Sequence, residues 1–555
     1  MVKDILHKTY PVILSLVVIS SVLFFFRLGS LALTDPDETF YAETAKEMLE
    51  RRNWLTPYIY GEPQFEKPIF FYWLVLGSYK LFGVNEFAAR LPSAVFALFG
   101  VMTAYLLGAA LFNKKTGAIS AFLVAVNVEY IALARACVTD MTLAVFIGLA
   151  FLFFIYGYRS SKGVFYAASS LFMALATLTK GPIGVMLPAA VIVVFLVMKR
   201  DLGAVRKMPF VLMSLLFLAV ALPWYAYMQK AHGKAFMDMF FGYHNIIRFL
   251  EPEHKSGEVW YYYIPVILGG MFPWSVFLPA ALWEGLKRAF KDKGAEGGAH
   301  IFLAAWFFVF FIFFSLSRTK LPTYIFPAFM PLAVIIGHLW ARLFEPSPEI
   351  GVINKVKHSL RALLLIIIGA SIGAVIYLGA SRYAGVTGGA AVSAAVLTAG
   401  IALSLVFFEK KGMYLAAFAT IVISTTVTFL PLECLVLPEI ERHETSREVA
   451  DVLKALVKPG DIVGAEAGYM EGIAFYTGLF PARLDRHHLL VNFLNSQTRG
   501  WCILKEKNLD QLYTLDDKPI HKKPSYIVWR SGKKCIFTNK LPDDGVYLEK
   551  KERAR

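Results

Sequence analysis

Asp37, Glu38, Glu66 and Lys67 fall in one polar stretch, residues 34–68, lodged between apolar runs. Charged side chains at a bilayer surface are retained where they have chemical work. A carboxylate there can accept a proton from a hydroxyl or hold a metal, and a lysine can meet a phosphate. Asp35-Pro36-Asp37-Glu38 has the form of a helix start: Asp35 as N-cap, Pro36 in the first turn, Glu38 three residues after the cap. The following YAETAKEML places apolar residues at Tyr41, Ala45, Met48 and Leu49, as an interfacial amphipathic helix would. On that reading the acids cap and decorate a helix. In QFEKPIFFYW, Pro68 biases Lys67 to an extended backbone, so Glu66 and Lys67 should project to different sides of the chain. One would meet a metal or a hydroxyl and the other a phosphate, whereas an isolated EKP tripeptide would be a solvated surface pair.

The rest of the chain must position this stretch, and it is mostly apolar. Of 555 residues, 57% are hydrophobic and only 17% charged, with mean hydropathy +0.55, which excludes an ordinary water-soluble globule. Runs of bilayer length fall near 10–28, 91–112, 116–133, 140–157, 164–180, 182–198, 209–228, 260–282, 300–316, 321–340, 360–379, 388–408 and 412–430. The expected fold is therefore an α-helical polytopic membrane protein of about 13 transmembrane helices. Lys3 and Lys8 precede the first run and no small-residue cleavage site follows, so that run is expected to stay as an anchor.

With the N-terminus inside, cations gather in alternate short loops: Lys114 and Lys115, Arg159 and Lys162, Lys199 to Lys207, Lys287 to Lys293, Lys355 to Arg361, Lys410 and Lys411. The intervening short loops hold only one or two cations each, such as Arg135, Lys180 and Arg382. An odd number of spans then puts residues 34–68 and everything after about 437 outside. Topology accounts for the net charge of +15, so nucleic acid is not an expected partner.

Near residue 437 the charge density becomes that of a soluble domain. The expected organisation is a membrane domain over 1–437, with its first outer loop at 29–90, and an outer domain over 438–555. SREVADVLKALV reads as an amphipathic helix, PGDIVGAE as a turn into a strand, EGIAFYTG as a second helix, and SYIVWR and KCIFTN as strands. A small α/β layer structure is expected, serving as a lid or acceptor-docking domain, because it holds no phosphate-binding glycine motif, GxSxG or HExxH. Four cysteines are too few for a disulfide scaffold or zinc ribbon; Cys502 and Cys535 both fall in this outer region, where a bond between them is open.

The stretch DPDETFYAETAKEML, Trp54, Pro57, FEKP, Tyr72-Trp73, Phe82-Gly83 and RLPS at 90–93 resembles the first outer loop of the lipid A aminoarabinose transferases and related bacterial members of the protein mannosyltransferase superfamily, membrane glycosyltransferases of the GT-C class. The resemblance continues through Thr139-Asp140, TKGP at 179–182, HNIIRF at 244–249 and KLPTYIFP at 320–327, across nearly all of the membrane part. It implies a polyprenyl-phosphate sugar donor used on the periplasmic face of the inner membrane, a hexosyl or pentosyl group transferred with inversion, and no nucleotide cofactor. Lipid A, another glycolipid, a glycan or a protein would be the acceptor, membrane lipids would surround the chain, and a monomer is expected.

Residue by residue, the resemblance makes Asp37 the catalytic base, Asp140 a second site carboxylate, and Lys67 and Arg248 the donor-phosphate cations. Asp140 also reads as an N-terminal helix cap after Thr139. Relatives can hold a divalent ion near the acid of FEKP, which makes Glu66, His244 and Asn245 candidate ligands, with Asn245 standing where a histidine is common. Glu38, Tyr41, Lys320 and Tyr324 are candidates to line the substrate cavity; Lys320 and Tyr324 are four apart, with Pro322 between them. Phe40 and Gln64 depart from the Arg and Tyr of the aminoarabinose enzymes. The run Tyr261-Tyr262-Tyr263 reads as an interfacial aromatic belt. The competing class is a flippase or transporter for lipid-linked sugars, which should carry mid-span ionisable residues in two related halves. No internal repeat of that kind is visible, and the acids gather in one loop and at span ends.

Overall fold

The computed structural model describes residues 2–251, 259–345, 348–379, 384–410, 413–505, 508, 526–531 and 534–541. Arg382 and Lys411, used above in the charge pattern, lie outside them. Among the described residues, nine helices are long and apolar enough to cross a bilayer. Two further pairs are apolar but bent: Lys114–Ala125 with Val128–Ala134 by 66°, and Tyr263–Gly270 with Trp274–Lys291 by 113°. Pro11–Phe25 and Ile183–Lys199 are shorter apolar helices.

The runs expected at 116–133 and 260–282 are thus broken, for local reasons. The Asn127 side chain accepts the Tyr130 N–H at 2.8 Å and starts a new helix inside the first. In the second, Pro273 has no N–H to donate and a 3-10 turn, Trp274–Phe277, intervenes. The aromatic run after FEKP forms a helix of its own, Phe70–Phe82, which the hydropathy pattern did not separate from the loop.

The chain divides into two compact units. The first comprises Met1–Leu28, Phe65–Leu74 and Arg90–Glu433. Its centre is set by the segments Asp140–Ser160 and Pro322–Phe344, whose apolar windows are 78% and 94% buried, whereas that of Phe210–Leu250 is only 11% buried and faces outward. Aromatic rings fill the middle: Phe151 stands 4.5 Å from Trp306 and Phe195 5.4 Å from Phe302.

The second unit comprises Gly29–Gln64, Val75–Ala89 and Cys434–Arg555. Its sheet runs in the order Ala482–Arg483, Ile462–Ala465, Gly500–Lys505, Lys534–Thr538, Tyr526–Ser531, parallel on one side and antiparallel on the other. Alternation along the central strand serves both faces: Trp501 and Ile503 join a core with Val449, Leu453 and Ile473, and Cys502 and Leu504 join one with Leu484 and Leu490. Val449, Leu453 and Ile473 come from the helices Arg447–Leu456 and Met470–Thr477, which correspond to the two read from the sequence. Cys502 and Cys535 remain thiols. They lie on paired strands but out of step, Cys502 opposite Phe537 and Cys535 opposite Leu504, and the Cys535 thiol donates to the Leu504 carbonyl at 3.4 Å.

Residues 34–64 of the polar stretch are packed within this second unit, whereas Glu66 and Lys67 belong to the first. The helix Asp37–Glu50 begins after Pro36 with no side-chain cap. Asp35 is therefore not the N-cap that its position suggested. Its two carboxylate oxygens accept the Thr39 hydroxyl at 2.9 Å and the Ser446 N–H at 2.6 Å, tying the loop to the C-terminal segment. Glu38 reaches back to the Thr34 N–H at 2.9 Å. Lys46 donates to the carbonyls of Ala474 and Phe475, and the Leu33 N–H to the Tyr476 hydroxyl. Glu47 accepts the N–H groups of Tyr60 and Gly61, the two positive-φ residues of the turn between Tyr58–Ile59 and Glu62–Pro63.

Candidate active site

Glu66 and Lys67 stand at a bend rather than on an extended backbone, and they do not diverge. Lys67 Nζ lies 2.7 Å from Glu66 Oε1, and Arg248 Nη1 lies 2.9 Å from the same oxygen. The physical reason is burial: two largely desolvated charges on opposite sides of the chain would each need a separate partner, and here one carboxylate serves both cations. Arg248 follows a π-helical stretch, Met237–Ile247, whose wider turn carries His244 and Asn245 to the same place.

These residues line a cavity of about 110 Å³ within the first unit. Its charged and polar walls are Glu66, Lys67, Lys180, His244, Asn245, Arg248, Ser317, Thr319 and Tyr324; Phe240, Phe249, Phe313 and Phe314 contribute apolar surface. Lys180, at the end of the helix Gly163–Lys180, is held by Asp140 Oδ1 at 2.6 Å, and its ammonium sits 5.0 Å from the centre of the Tyr324 ring. After Lys180 the chain turns sharply at Gly181, with φ 88° and ψ −160°, a conformation essentially confined to glycine.

The electrostatics favour an anion. Burial alone would raise the Glu66 carboxyl, but Lys67, Arg248 and His244 bring it down to about 2, so it stays ionised. Burial lowers Lys67, with Arg248 and Lys180 adding to the effect and Glu66 opposing it. Three cations face two carboxylates, a surplus that a phosphate would neutralise through charge-assisted hydrogen bonds. The same arrangement does not fit the divalent ion expected at Glu66, His244 and Asn245. Glu66 already serves two cations, and an incoming metal would meet Lys67, Arg248 and Lys180.

Of the sequence candidates, Glu66, Lys67, His244, Asn245, Arg248 and Tyr324 come together here. Asp140 stands behind Lys180 and positions it, and is absent from the lining. Lys320 is buried outside the lining, and burial lowers its pKa. Asp37 is exposed on the first turn of its helix in the second unit, where Tyr41 and Glu38 are buried. Lys180 was missed as a site residue. A single lysine between two apolar runs, followed by Gly-Pro, was its signal.

Fold and site define a polytopic α-helical membrane protein with a cation-lined cavity. More particularly, parts of its sequence are similar to protein mannosyltransferases and aminoarabinose transferases. Residues 66–227 match the family model described as dolichyl-phosphate-mannose-protein mannosyltransferase. The chain is 33% identical over 365 residues to undecaprenyl phosphate-alpha-4-amino-4-deoxy-L-arabinose arabinosyl transferase 2 of Pseudomonas fluorescens, covering 64% of this chain and 60% of that one. It is 32% identical over 345 residues to the corresponding transferase 1 of Proteus mirabilis, covering 60% of each chain. This chain thus spans about 60% of the length of these curated relatives. The fold is similar to the crystal structure of ArnT from Cupriavidus metallidurans bound to undecaprenyl phosphate, with TM-score 0.79 and 22% identity, covering 96% of this chain and 98% of that one.

Proposed function

We propose that the chain transfers a glycosyl group from a polyprenyl-phosphate donor to a lipid A-type glycolipid or another acceptor, on the periplasmic face of the inner membrane. The observation that carries this reading is the convergence of Lys67, Arg248 and Lys180 on one partly apolar cavity. Lys67 and Arg248 bind the donor phosphate, with Glu66 fixing their direction before the donor arrives. Asp140 holds Lys180 at the cavity wall in the same way. The acceptor oxygen attacks the anomeric carbon while the bond to the phosphate oxygen breaks. The leaving phosphate takes the electron pair and is stabilised by the two cations. Asp37 accepts the acceptor's proton; its support is the sequence motif and its exposed place on a helix start. A single displacement of this kind inverts the anomeric carbon.

A pentosyl group is supported by the names of the curated relatives, although Phe40 and Gln64 stand where the aminoarabinose enzymes have Arg and Tyr. The family match over 66–227 supports a second acceptor class, protein hydroxyls. The domain organisation proposed is residues 1–437 as the transferase domain and 438–555 as a periplasmic domain, although Gly29–Gln64 and Val75–Ala89 of the former share one compact unit with Cys434–Arg555. Mass spectrometry of lipid A, total glycolipids and glycoproteins, from cells with the intact protein and with Asp37→Asn at equal folded abundance, tests the reading. A sugar-sized increment present only with the intact protein supports it and identifies the sugar. Identical spectra in every fraction would overturn it.

A further inference from the structure

A second cluster of chemistry-bearing side chains lies at the opposite end of the helix Ala295–Leu316 from the candidate active site. Phe313 and Phe314 line the cavity near the helix's end, whereas Glu296 and His300 occupy its beginning. The thirteen residues from His300 to Phe313, at about 1.5 Å each, separate them by roughly 20 Å. His338, near the end of the helix Phe329–Ala341, joins the pair. One ligand atom from each of Glu296, His300 and His338 lies within 4.8 Å of the others, and among the described residues no other such group occurs.

We propose that Glu296, His300 and His338 form a binding site for a divalent first-row transition metal, Zn²⁺ by ligand chemistry, which pins the start of one helix to the end of the other. The independent observation is His300: it is 3% exposed, and neither ring nitrogen has a hydrogen-bond partner. The His338 Nδ1 is in the same condition, while its Nε2 stands 3.1 Å from Glu296 Oε1. A buried polar atom left without a partner costs about 1–3 kcal/mol, so native structures rarely keep such atoms without a reason. Two imidazoles and one carboxylate are a three-ligand set suited to zinc with water as the fourth ligand; the oxygen-rich preferences of Ca²⁺ and Mg²⁺ are not met.

The surroundings hold the rings in place. Phe112 stacks on His338 with centroids 4.0 Å apart and lies 5.0 Å from His300. Gly285 leaves room on the other side, since a Cβ there would stand 3.2 Å from His300 Nδ1. Neighbouring charges are accounted for. Arg288 holds Glu296 at 2.6 Å but also lies 3.5 Å from Glu349, which can take it over when an ion engages Glu296. Arg342 is held by Glu349 at 2.5 Å and Glu284 at 3.4 Å, and Lys355 by Glu284. Glu296 is 39% exposed, which gives an ion its route in from solvent. The two helices flank the connecting segment that carries Ser317, Thr319 and Tyr324, so a pin at this end fixes the register of one wall of the cavity.

The test is a Co²⁺ titration of the full-length protein in detergent, after chelator treatment and dialysis. The expected result is one Co²⁺ per chain with the visible d–d bands of a four-coordinate site. His300→Gln and His338→Asn should each weaken uptake about tenfold or more. Glu296→Gln, at a partly exposed position and nearly isosteric, should do the same while leaving the helical circular dichroism unchanged. Glu66→Gln should retain the Co²⁺ spectrum. Folded intact protein that takes up no Co²⁺, uptake that survives all three substitutions in the cluster, or uptake lost only in Glu66→Gln would overturn the proposal.

Discussion

Lys180 Nζ lies 2.6 Å from Asp140 Oδ1, a buried ion pair between the end of one helix and the start of another. Their side chains are 9% and 7% exposed, so removing one partner strands the other charge. Lys180→Met alone should lower stability by about 3 kcal/mol. The double variant Lys180→Met with Asp140→Leu should recover most of that loss. Thermal unfolding of the purified proteins measures both, and a double variant as unstable as the sum of the single ones would refute the pairing.

Gly181 supplies the backbone turn that presents Lys180 to the cavity. An alanine must adopt φ 88°, and its Cβ would lie 3.3 Å from the Phe240 ring and 3.4 Å from Asn245 Oδ1. Gly181→Ala should therefore be destabilised by about 1–3 kcal/mol. It should also weaken donor binding, whereas Gly369→Ala, in an open part of its helix, should leave donor binding unchanged; equal binding by the two variants would refute the role of this turn.

The second unit should loosen as pH rises. Burial pushes the Asp35 carboxyl up from 3.8 to about 7, with the Glu471 charge adding to the rise and the bonds from Ser446 and Thr39 opposing it. Between pH 4 and 7 the folded state keeps this proton and the unfolded state releases it. Stability therefore falls as pH rises through that window, and is flat above it. Glu43, raised to about 7 by burial against the pull of Lys46, contributes with the same sign. Asp35→Asn should reduce the difference between pH 5 and pH 8 by roughly 2 kcal/mol. Hydrogen exchange of the Arg447–Leu456 helix reads this out; an unchanged pH dependence would remove Asp35 from the account.

Gly472 marks the same contact from the other side. A Cβ there would fall 2.2 Å from Asp35 Oδ1 and 2.8 Å from Ser446 Cβ. Gly472→Ala should accelerate exchange in that helix at all pH values and lower stability by about 1–3 kcal/mol. Unchanged exchange would mean that the loop and helix do not pack as described.

Hydropathy made the helical membrane fold legible, because run length and composition report directly on what a bilayer admits. It could not show the breaks at Asn127 and Pro273, where one cap or one missing N–H outweighs a continuous apolar pattern. Lys67 and Arg248 were legible through their motifs and not through spacing, since 181 residues separate them and a π-helical stretch sets the register of the second. Asp35 read as a helix cap because capping is a local pattern, whereas its partner at Ser446 is set by tertiary packing. The cluster of Glu296, His300 and His338 gave only a four-residue helical spacing between its first two members, with the third on another helix.

The most direct test of the central claim is binding of undecaprenyl phosphate to the full-length protein, intact and as Lys67→Ala, Arg248→Ala and Lys287→Ala, by native mass spectrometry. Loss of a charge-assisted contact is worth about 1.5–3 kcal/mol, or roughly tenfold to a hundredfold in affinity. The first two variants should show that loss, and Lys287→Ala, a cation away from the cavity lining, should bind as the intact protein does. Equal affinity across all four proteins would contradict the assignment of this cavity to the donor phosphate.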